Sequence, residues 1–113
     1  MTAKVYGIPN CDSVKKAIAS LKRNDIEVVF HDFKKHGVAP QLLDEWIAAF
    51  GLDKVINRKG TTWRGLDESL QSKAQSNEGA KALLLEYPSI IKRPVVELQG
   101  QLTIGQTDFS KEA

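Results

Sequence analysis

The stretch VYGIPNCDSVKKAIASL, from Val5 to Leu21, contains the change of pattern that decides the fold. A short apolar run is broken at Gly7 and Pro9, and helical periodicity begins directly after Cys11, the only cysteine. This pattern predicts a buried strand, a tight turn and an amphipathic helix, with Cys11 at the turn. Apolar residues recur at the i, i+3, i+4 and i+7 positions of one helix face: Val14, Ala17, Ile18 and Leu21.

The flanking residues complete a strand–helix–strand unit. Ala3 to Gly7 is predicted to be the first strand, with Asn10 as the N-cap of the helix and its end near Asn24. Glu27 to Phe33 (EVVFHDF) is rich in β-branched and aromatic residues and predicts a second strand. Two strands joined by a helix within about 30 residues are expected to be parallel.

The central part of the chain predicts helices. The segment KKHGVAP is expected to be a loop that places Pro40 in the first turn of a helix, and Gly51 is expected to be its left-handed C-terminal cap. A short helix is expected near Asp67, and Pro88 is expected to stop the last helix. The apolar faces of the first and last of these helices are Leu42, Leu43, Trp46, Ile47 and Phe50, and Ala80, Leu83, Leu84 and Tyr87.

The C-terminal part predicts a β-hairpin. Pro94 to Leu98 and Leu102 to Gly105 read as strands joined at Gln99-Gly100, followed by a tail that is expected to be helical. The resulting order predicts an α/β, thioredoxin-like fold, in which the βαβ unit and the ββ hairpin form one mixed sheet and helices are inserted between the two halves. We expect a single domain over residues 1–113.

Composition limits the classes of function. The chain has 16 basic and 14 acidic residues, and its net charge of +2 is too small to indicate a nucleic-acid-binding protein. No stretch approaches the roughly 18 apolar residues that span a bilayer, and the start MTAKVYG does not resemble a signal peptide. We therefore expect a cytoplasmic monomer without membrane or nucleic-acid partners.

Cysteine and histidine usage bears on redox and metal chemistry. One cysteine cannot form an internal disulfide, and a free thiol fits a reducing compartment. His31, His36 and Cys11 do not have the spacing of metal ligands, so we expect no metal site and no bound cofactor.

Cys11 has two interpretations, a small buried apolar residue or a reactive thiol. Free cysteines are often buried and inert. At a helix start, however, backbone N–H groups lack intrahelical partners and favour a thiolate. A free thiol has a pKa of about 8.5, so nearby cations must decide its reactivity. Lys15, one turn along the helix, is the first candidate, although Lys15 and Lys16 equally fit a solvated helix face. Val14 stands where a C-x-x-C motif would have its second cysteine, so a resolving thiol must come from outside.

The stretch SIIKRPVVEL places Arg93 before Pro94 at the start of a strand. The bond between them is a candidate for cis geometry that aims Arg93 toward a neighbouring strand end. The alternative is a trans proline on an edge strand with a solvent-exposed arginine, and composition does not choose between them.

The chain contains the segments YGIPNCDSVKKA, NRKGTTWRGLDE and PSIIKRPVVE, in this order and at these separations. Together they resemble the ArsC family of arsenate reductase-like proteins, and specifically its short YffB-like branch, which is related to the redox regulator Spx. The resemblance implies a thioredoxin-like fold with a helical insertion, a cis-proline at Pro94, Cys11 as the redox-active nucleophile and glutathione-linked reductase chemistry.

The resemblance also implies roles for basic residues. Arg93 matches the arginine before the proline that contacts the oxyanion, and Lys15 occupies the basic position after the cysteine. Arg58 matches the central arginine, unless an alignment shift of one puts Lys59 there, and Arg64 belongs to the pattern of the branch. The predicted catalytic residues are Cys11 and Arg93, and the predicted oxyanion-binding or glutathione-binding residues are Asn10, Lys15, Arg58, Arg64 and Pro94.

Two departures from the family bear on the substrate. Gly7 lies in the region where arsenate reductases have a histidine, and Gln106 stands at about the position of a third arginine. Arginines bind oxyanions through charge-assisted, bidentate contacts, so the loss of one argues against arsenate. We expect a monothiol reductase acting on a small oxidised substrate or mixed disulfide, with glutathione as co-substrate and glutathione or a glutaredoxin regenerating Cys11. The alternative is a non-enzymatic, Spx-like interaction module. The absence of a C-x-x-C motif argues against this alternative, because Spx-like regulators usually carry one.

Overall fold

The structure, a computed structural model, describes residues 1–112; the predicted domain also includes Ala113, which lies outside the described residues. Strand β1 (Thr2–Gly7), helix α1 (Asp12–Arg23) and strand β2 (Glu27–Asp32) form the predicted unit. The two strands are parallel, as predicted. Helix α1 buries the apolar face that its period indicates, because residues three and four apart share one side of a helix.

The C-terminal hairpin joins the same sheet. Strands β3 (Val95–Leu98) and β4 (Gln101–Ile104) are antiparallel, and β3 lies antiparallel to β1 in a four-stranded sheet of order β2-β1-β3-β4. The turn residues Gln99 and Gly100 both have positive φ, 51° and 78°, which is the requirement of a tight type I′ hairpin turn. The hairpin and the mixed sheet confirm the predicted thioredoxin-like α/β fold.

Helix α1 and one face of the sheet enclose the core of this part of the chain. The buried hydroxyl of Ser20 on α1 accepts a hydrogen bond from the backbone N–H of Phe109 at 2.8 Å, which fixes the C-terminal segment beside the helix. That segment ends in a 3₁₀ turn, Ser110–Glu112, so the tail is partly helical as expected. The core residues are Ala3, Val5, Val14, Ala17, Leu21, Ile26, Val96, Leu98 and Phe109.

Short helices fill most of the chain between β2 and β3. Two 3₁₀ turns, Ser72–Gln75 and Pro88–Ile90, flank the last of them. The helices are α2 (Phe33–His36), α3 (Pro40–Phe50), α4 (Leu52–Val55), α5 (Thr61–Arg64), α6 (Glu68–Gln71) and α7 (Asn77–Glu86).

The chain divides into two compact units, residues 1–36 with the chain from Arg93 onward, and residues 37–92. In the second unit, Asp44 on α3 and Lys81 on α7 form an ion pair at 2.9 Å. The predicted helix starts at Pro40 and near Asp67 and the helix end before Pro88 are all found. The single-domain assignment stays a prediction.

Three local predictions are wrong. The N-cap of α1 is Cys11 rather than Asn10, because the backbone of Cys11 is still extended (φ −110°, ψ 123°). Phe33 begins a helical turn rather than ending a strand, because the Asp32 carboxylate accepts hydrogen bonds from the backbone N–H groups of Lys34 and Lys35. The segment KKH, which was predicted to be a loop, is part of that turn. Gly51 has positive φ (84°) but an extended ψ (155°), so it separates α3 from α4 and is not a left-handed helical cap.

Within residues 1–112, no helix has both the length and the apolar character that crossing a bilayer requires.

Candidate active site

Cys11 lies at the junction of β1 and α1, where the chain turns from extended to helical. Its carbonyl accepts the first intrahelical hydrogen bond, from the N–H of Lys15 at 3.0 Å. Its side chain is half-buried against the core between α1 and the sheet. Cys11 is thus held at the start of a helix and is only partly buried, and reactive cysteines commonly lie in partly exposed environments of this kind.

Opposing effects act on the charge of this sulfur. Partial burial raises the pKa of the Cys11 thiol, but the backbone N–H of Val14, the guanidinium of Arg93 and the backbone N–H of Ser13 lower it, and the net pKa lies below its usual value. The Cys11 side chain forms no capping hydrogen bond at the start of α1. The N–H groups of Val14 and Ser13 therefore act on the sulfur as nearby dipoles. Arg93 contributes both a hydrogen bond and a full positive charge.

The position of Arg93 resolves the alternatives that the sequence left open. The Arg93–Pro94 peptide bond is cis, and Arg93 is half-buried beside the Cys11 sulfur rather than exposed to solvent. Pro94 is buried, and its carbonyl accepts a hydrogen bond from the N–H of Gly105 at 2.8 Å, which ties the bend to the end of β4. The guanidinium is therefore presented from a well-anchored backbone.

Two further predicted site residues lie in the same unit as Cys11. Asn10 is exposed in the turn immediately before it, and the side chain of Lys15 is exposed one turn along α1. The cation that lowers the pKa of Cys11 is Arg93. Roles for Asn10 and Lys15 in substrate binding stay predictions.

Arg58 and Arg64 belong to the unit of residues 37–92. Arg58 forms an ion pair with Asp53, with Nη1 and Oδ1 3.0 Å apart, and its guanidinium lies 5.5 Å from the centre of the Trp63 ring. Arg64 is exposed at the end of α5, and Lys59, the alternative to Arg58, is also exposed. Their predicted binding roles stay predictions.

Sequence reasoning missed some contacts of the site residues. The particular amides that face the sulfur, those of Val14 and Ser13, carry no side-chain signal and follow only from the helix start at Asp12. Asp53 and Trp63 were not predicted as partners of Arg58. Asp53 and Trp63 each lie five residues from Arg58, and side chains that meet on one helix face are three or four residues apart, so helical periodicity did not indicate these contacts.

The geometry around Cys11 suits nucleophilic attack by sulfur. A thiolate is the form that attacks disulfides, and a guanidinium beside it can also hold an anionic group of the molecule under attack. Within the described part of the chain, no three His, Cys, Asp or Glu side chains are grouped as metal ligands would be.

A mixed sheet of order β2-β1-β3-β4, a cis-proline before β3 and a cysteine at the start of α1 define a thioredoxin-like protein. The chain belongs to the ArsC family, whose model matches residues 6–111. The family assignment from the sequence motifs is thereby confirmed.

Individual relatives agree with this assignment. An uncharacterised protein of Haemophilus influenzae is 40% identical over 109 residues, covering 96% of this chain and 95% of its own. The solved structure of the YFFB protein is 40% identical with a TM-score of 0.84, covering 90% of this chain and 89% of its own. An arsenate reductase (ArsC) related protein from Brucella melitensis is also 40% identical, with a TM-score of 0.74 and coverage of 94% and 88%.

Proposed function

We propose that this protein is a glutathione-linked monothiol reductase in which Cys11 is the nucleophile. The Cys11 thiolate attacks the glutathione sulfur of a small glutathione mixed disulfide, the S–S bond breaks, and the substrate leaves as a thiolate that takes a proton from water. This leaves Cys11 joined to glutathione. The thiolate of a free glutathione then attacks the glutathione sulfur of that bond, which releases the Cys11 thiolate and forms oxidised glutathione. The substrate is thereby reduced to its thiol, and the disulfide ends on glutathione.

One observation carries this proposal: the guanidinium of Arg93 acts on a half-buried Cys11 sulfur at the start of a helix. A cation there favours the attacking thiolate and also attracts the carboxylates of glutathione. Since Cys11 is the only cysteine, the second thiol must be external, and glutathione or a glutaredoxin supplies it. This cycle fits a monomer without a bound cofactor in the reducing cytoplasm.

Arsenate is expected to be a poor substrate. A doubly charged oxyanion near neutral pH requires several fixed cations, and this chain has Gln106 at about the position where the family pattern has a further arginine. The Gln106 amide is already engaged, because its Nε2 donates to the carbonyl of Asp108 at 2.8 Å. The arsenate reductase relatives therefore support the chemistry of the cysteine more than the identity of the substrate.

The test is the mass of the intact protein after incubation with oxidised glutathione. The proposal predicts one glutathione adduct per chain, absent from Cys11→Ser and removed by reduced glutathione. A wild-type protein that forms no adduct while remaining folded would contradict the proposal. That result would favour the alternative of a non-enzymatic, Spx-like interaction module.

A further inference from the structure

The last residue of β1 approaches the first turn of α1 more closely than any side chain would allow. Gly7 is buried, and a Cβ atom built on it would lie 2.6 Å from Cγ2 of Val14 and 3.5 Å from its Cγ1. Carbon atoms in contact are about 3.5–4.0 Å apart. The φ angle of Gly7 is not positive, so the need for glycine here is one of space rather than of backbone conformation.

Val14 has little freedom to yield. Its side chain is only 1% exposed and packs in the core with Val5 and Val96, among others. It is β-branched, and such a side chain in a helix strongly prefers one χ1 rotamer. A methyl group at position 7 would therefore move the backbone at the start of α1 and not simply rotate the Val14 side chain.

That backbone carries the amides that face the nucleophile. The N–H groups of Val14 and Ser13 both act on the Cys11 sulfur. A displacement of a few tenths of an ångström changes the distance of these dipoles from the sulfur, whereas Arg93 acts on the sulfur from a different element, the segment before β3.

We propose that Gly7 is a positioning residue for Cys11: the absence of a side chain at position 7 lets Val14 pack against the end of β1, and this contact sets the amides of the first turn of α1 at the sulfur. The inference deepens the proposed function, because it concerns the same nucleophile. It does not depend on glutathione being the partner.

The experiment measures the rate of alkylation of Cys11 by iodoacetamide, a neutral reagent, as a function of pH. The variants are Gly7→Ala, Val14→Ala and the double variant Gly7→Ala/Val14→Ala. In Gly7→Ala the titration midpoint should rise, and alkylation at pH 7 should slow by about two- to fivefold, the effect expected when a helix terminus is misplaced. In the double variant the methyl at position 7 occupies the space vacated by Val14, so its midpoint should match that of Val14→Ala.

Each outcome decides the proposal. A folded Gly7→Ala protein with an unchanged midpoint would overturn it, because Gly7 would then serve packing alone. A double variant with a midpoint above that of Val14→Ala would overturn it as well, because the effect would not pass through the Val14 contact. If Gly7→Ala alone does not fold, Val14→Ala supplies the test: it removes the contact with the end of β1, so its midpoint should lie above that of the wild type, and an unchanged midpoint would overturn the proposal. Glutathione adduct formation, measured separately, reports on the proposed function and not on Gly7.

Discussion

The residues around Cys11 decide whether its sulfur is a thiol or a thiolate at neutral pH. Burial raises the pKa, and two backbone amides and Arg93 lower it. Among the groups that lower the pKa, only Arg93 acts through a side chain. It is therefore the one that a substitution removes without altering the backbone of α1.

Replacing Arg93 with Ala should slow the reaction with oxidised glutathione by roughly tenfold or more, since a hydrogen bond to a charged group is worth about 1.5–3 kcal/mol. The reaction with neutral iodoacetamide should slow less. Arg93 does not attract this uncharged reagent, so the rate falls only because a smaller fraction of Cys11 is thiolate. Stopped-flow rates with both reagents measure the ratio. The matched control is Lys22→Ala, an exposed cation at the other end of α1, which should change neither rate. Equal losses for the charged and the neutral reagent in Arg93→Ala would mean that Arg93 supports structure instead.

Individual site residues were predictable to different extents. The position of Cys11 at a helix start follows from the hydrophobic period alone, and the structure confirms it. The approach of Arg93 depends on long-range pairing of β1 with β3 and on the isomer of one peptide bond, neither of which local sequence determines. The residues alone left this approach as one of two alternatives, and the family resemblance favoured it.

Secondary-structure elements were predicted well where one period runs without interruption. Helix α1 and the hairpin of β3 and β4 lie within a residue or two of their predicted bounds. The prediction failed at Phe33, an aromatic residue at the end of a segment with the composition of a strand. The Asp32 carboxylate accepts a hydrogen bond from the N–H of Lys34 at 2.9 Å, and this bond starts a turn in place of the strand. Local capping of this kind competes with β pairing and is not visible as a period.

The contact between α1 and the C-terminal segment gives a test at the same scale. Ser20→Ala leaves the buried N–H of Phe109 without its acceptor, so the free energy of unfolding should fall by about 1–3 kcal/mol. Urea unfolding measures the change, and hydrogen exchange at the Phe109 amide should be faster. Ser110→Ala, an exposed serine of the same segment, is the control and should change the stability by less than about 0.5 kcal/mol. A Ser20→Ala protein as stable as that control would show that the hydrogen bond does not hold the segment.

For the whole molecule, charge is the property that bears most on the substrate. The net charge of +2 is small, so capture of an anion depends on a few local cations and not on a general field. Arg93 is one such cation at Cys11. Gln106 adds a hydrogen-bond donor but no charge, and charge-assisted hydrogen bonds are roughly twice as strong as neutral ones.

A coupled glutathione assay should therefore show weak or absent arsenate reduction beside clear reduction of a small mixed disulfide. Gln106→Arg should raise the arsenate rate and leave the rate of Cys11 alkylation by iodoacetamide unchanged. Efficient arsenate reduction by the wild type would contradict this account. An unchanged, feeble arsenate rate in Gln106→Arg with a reactive Cys11 would do the same, because the missing arginine would then not be the limit.

The central claim, that Cys11 is an activated nucleophile, is tested most directly by the pH dependence of its alkylation by iodoacetamide in the wild-type protein. Only the thiolate reacts, so the rate falls as pH drops through the pKa of the folded protein. Because that pKa is lowered, alkylation should stay fast at pH values where a free thiol is mostly protonated. The account predicts a midpoint clearly below the free-thiol value of about 8.5, and unfolding in urea should return the midpoint to that value. A midpoint at or above about 8.5 in the folded protein would contradict the claim.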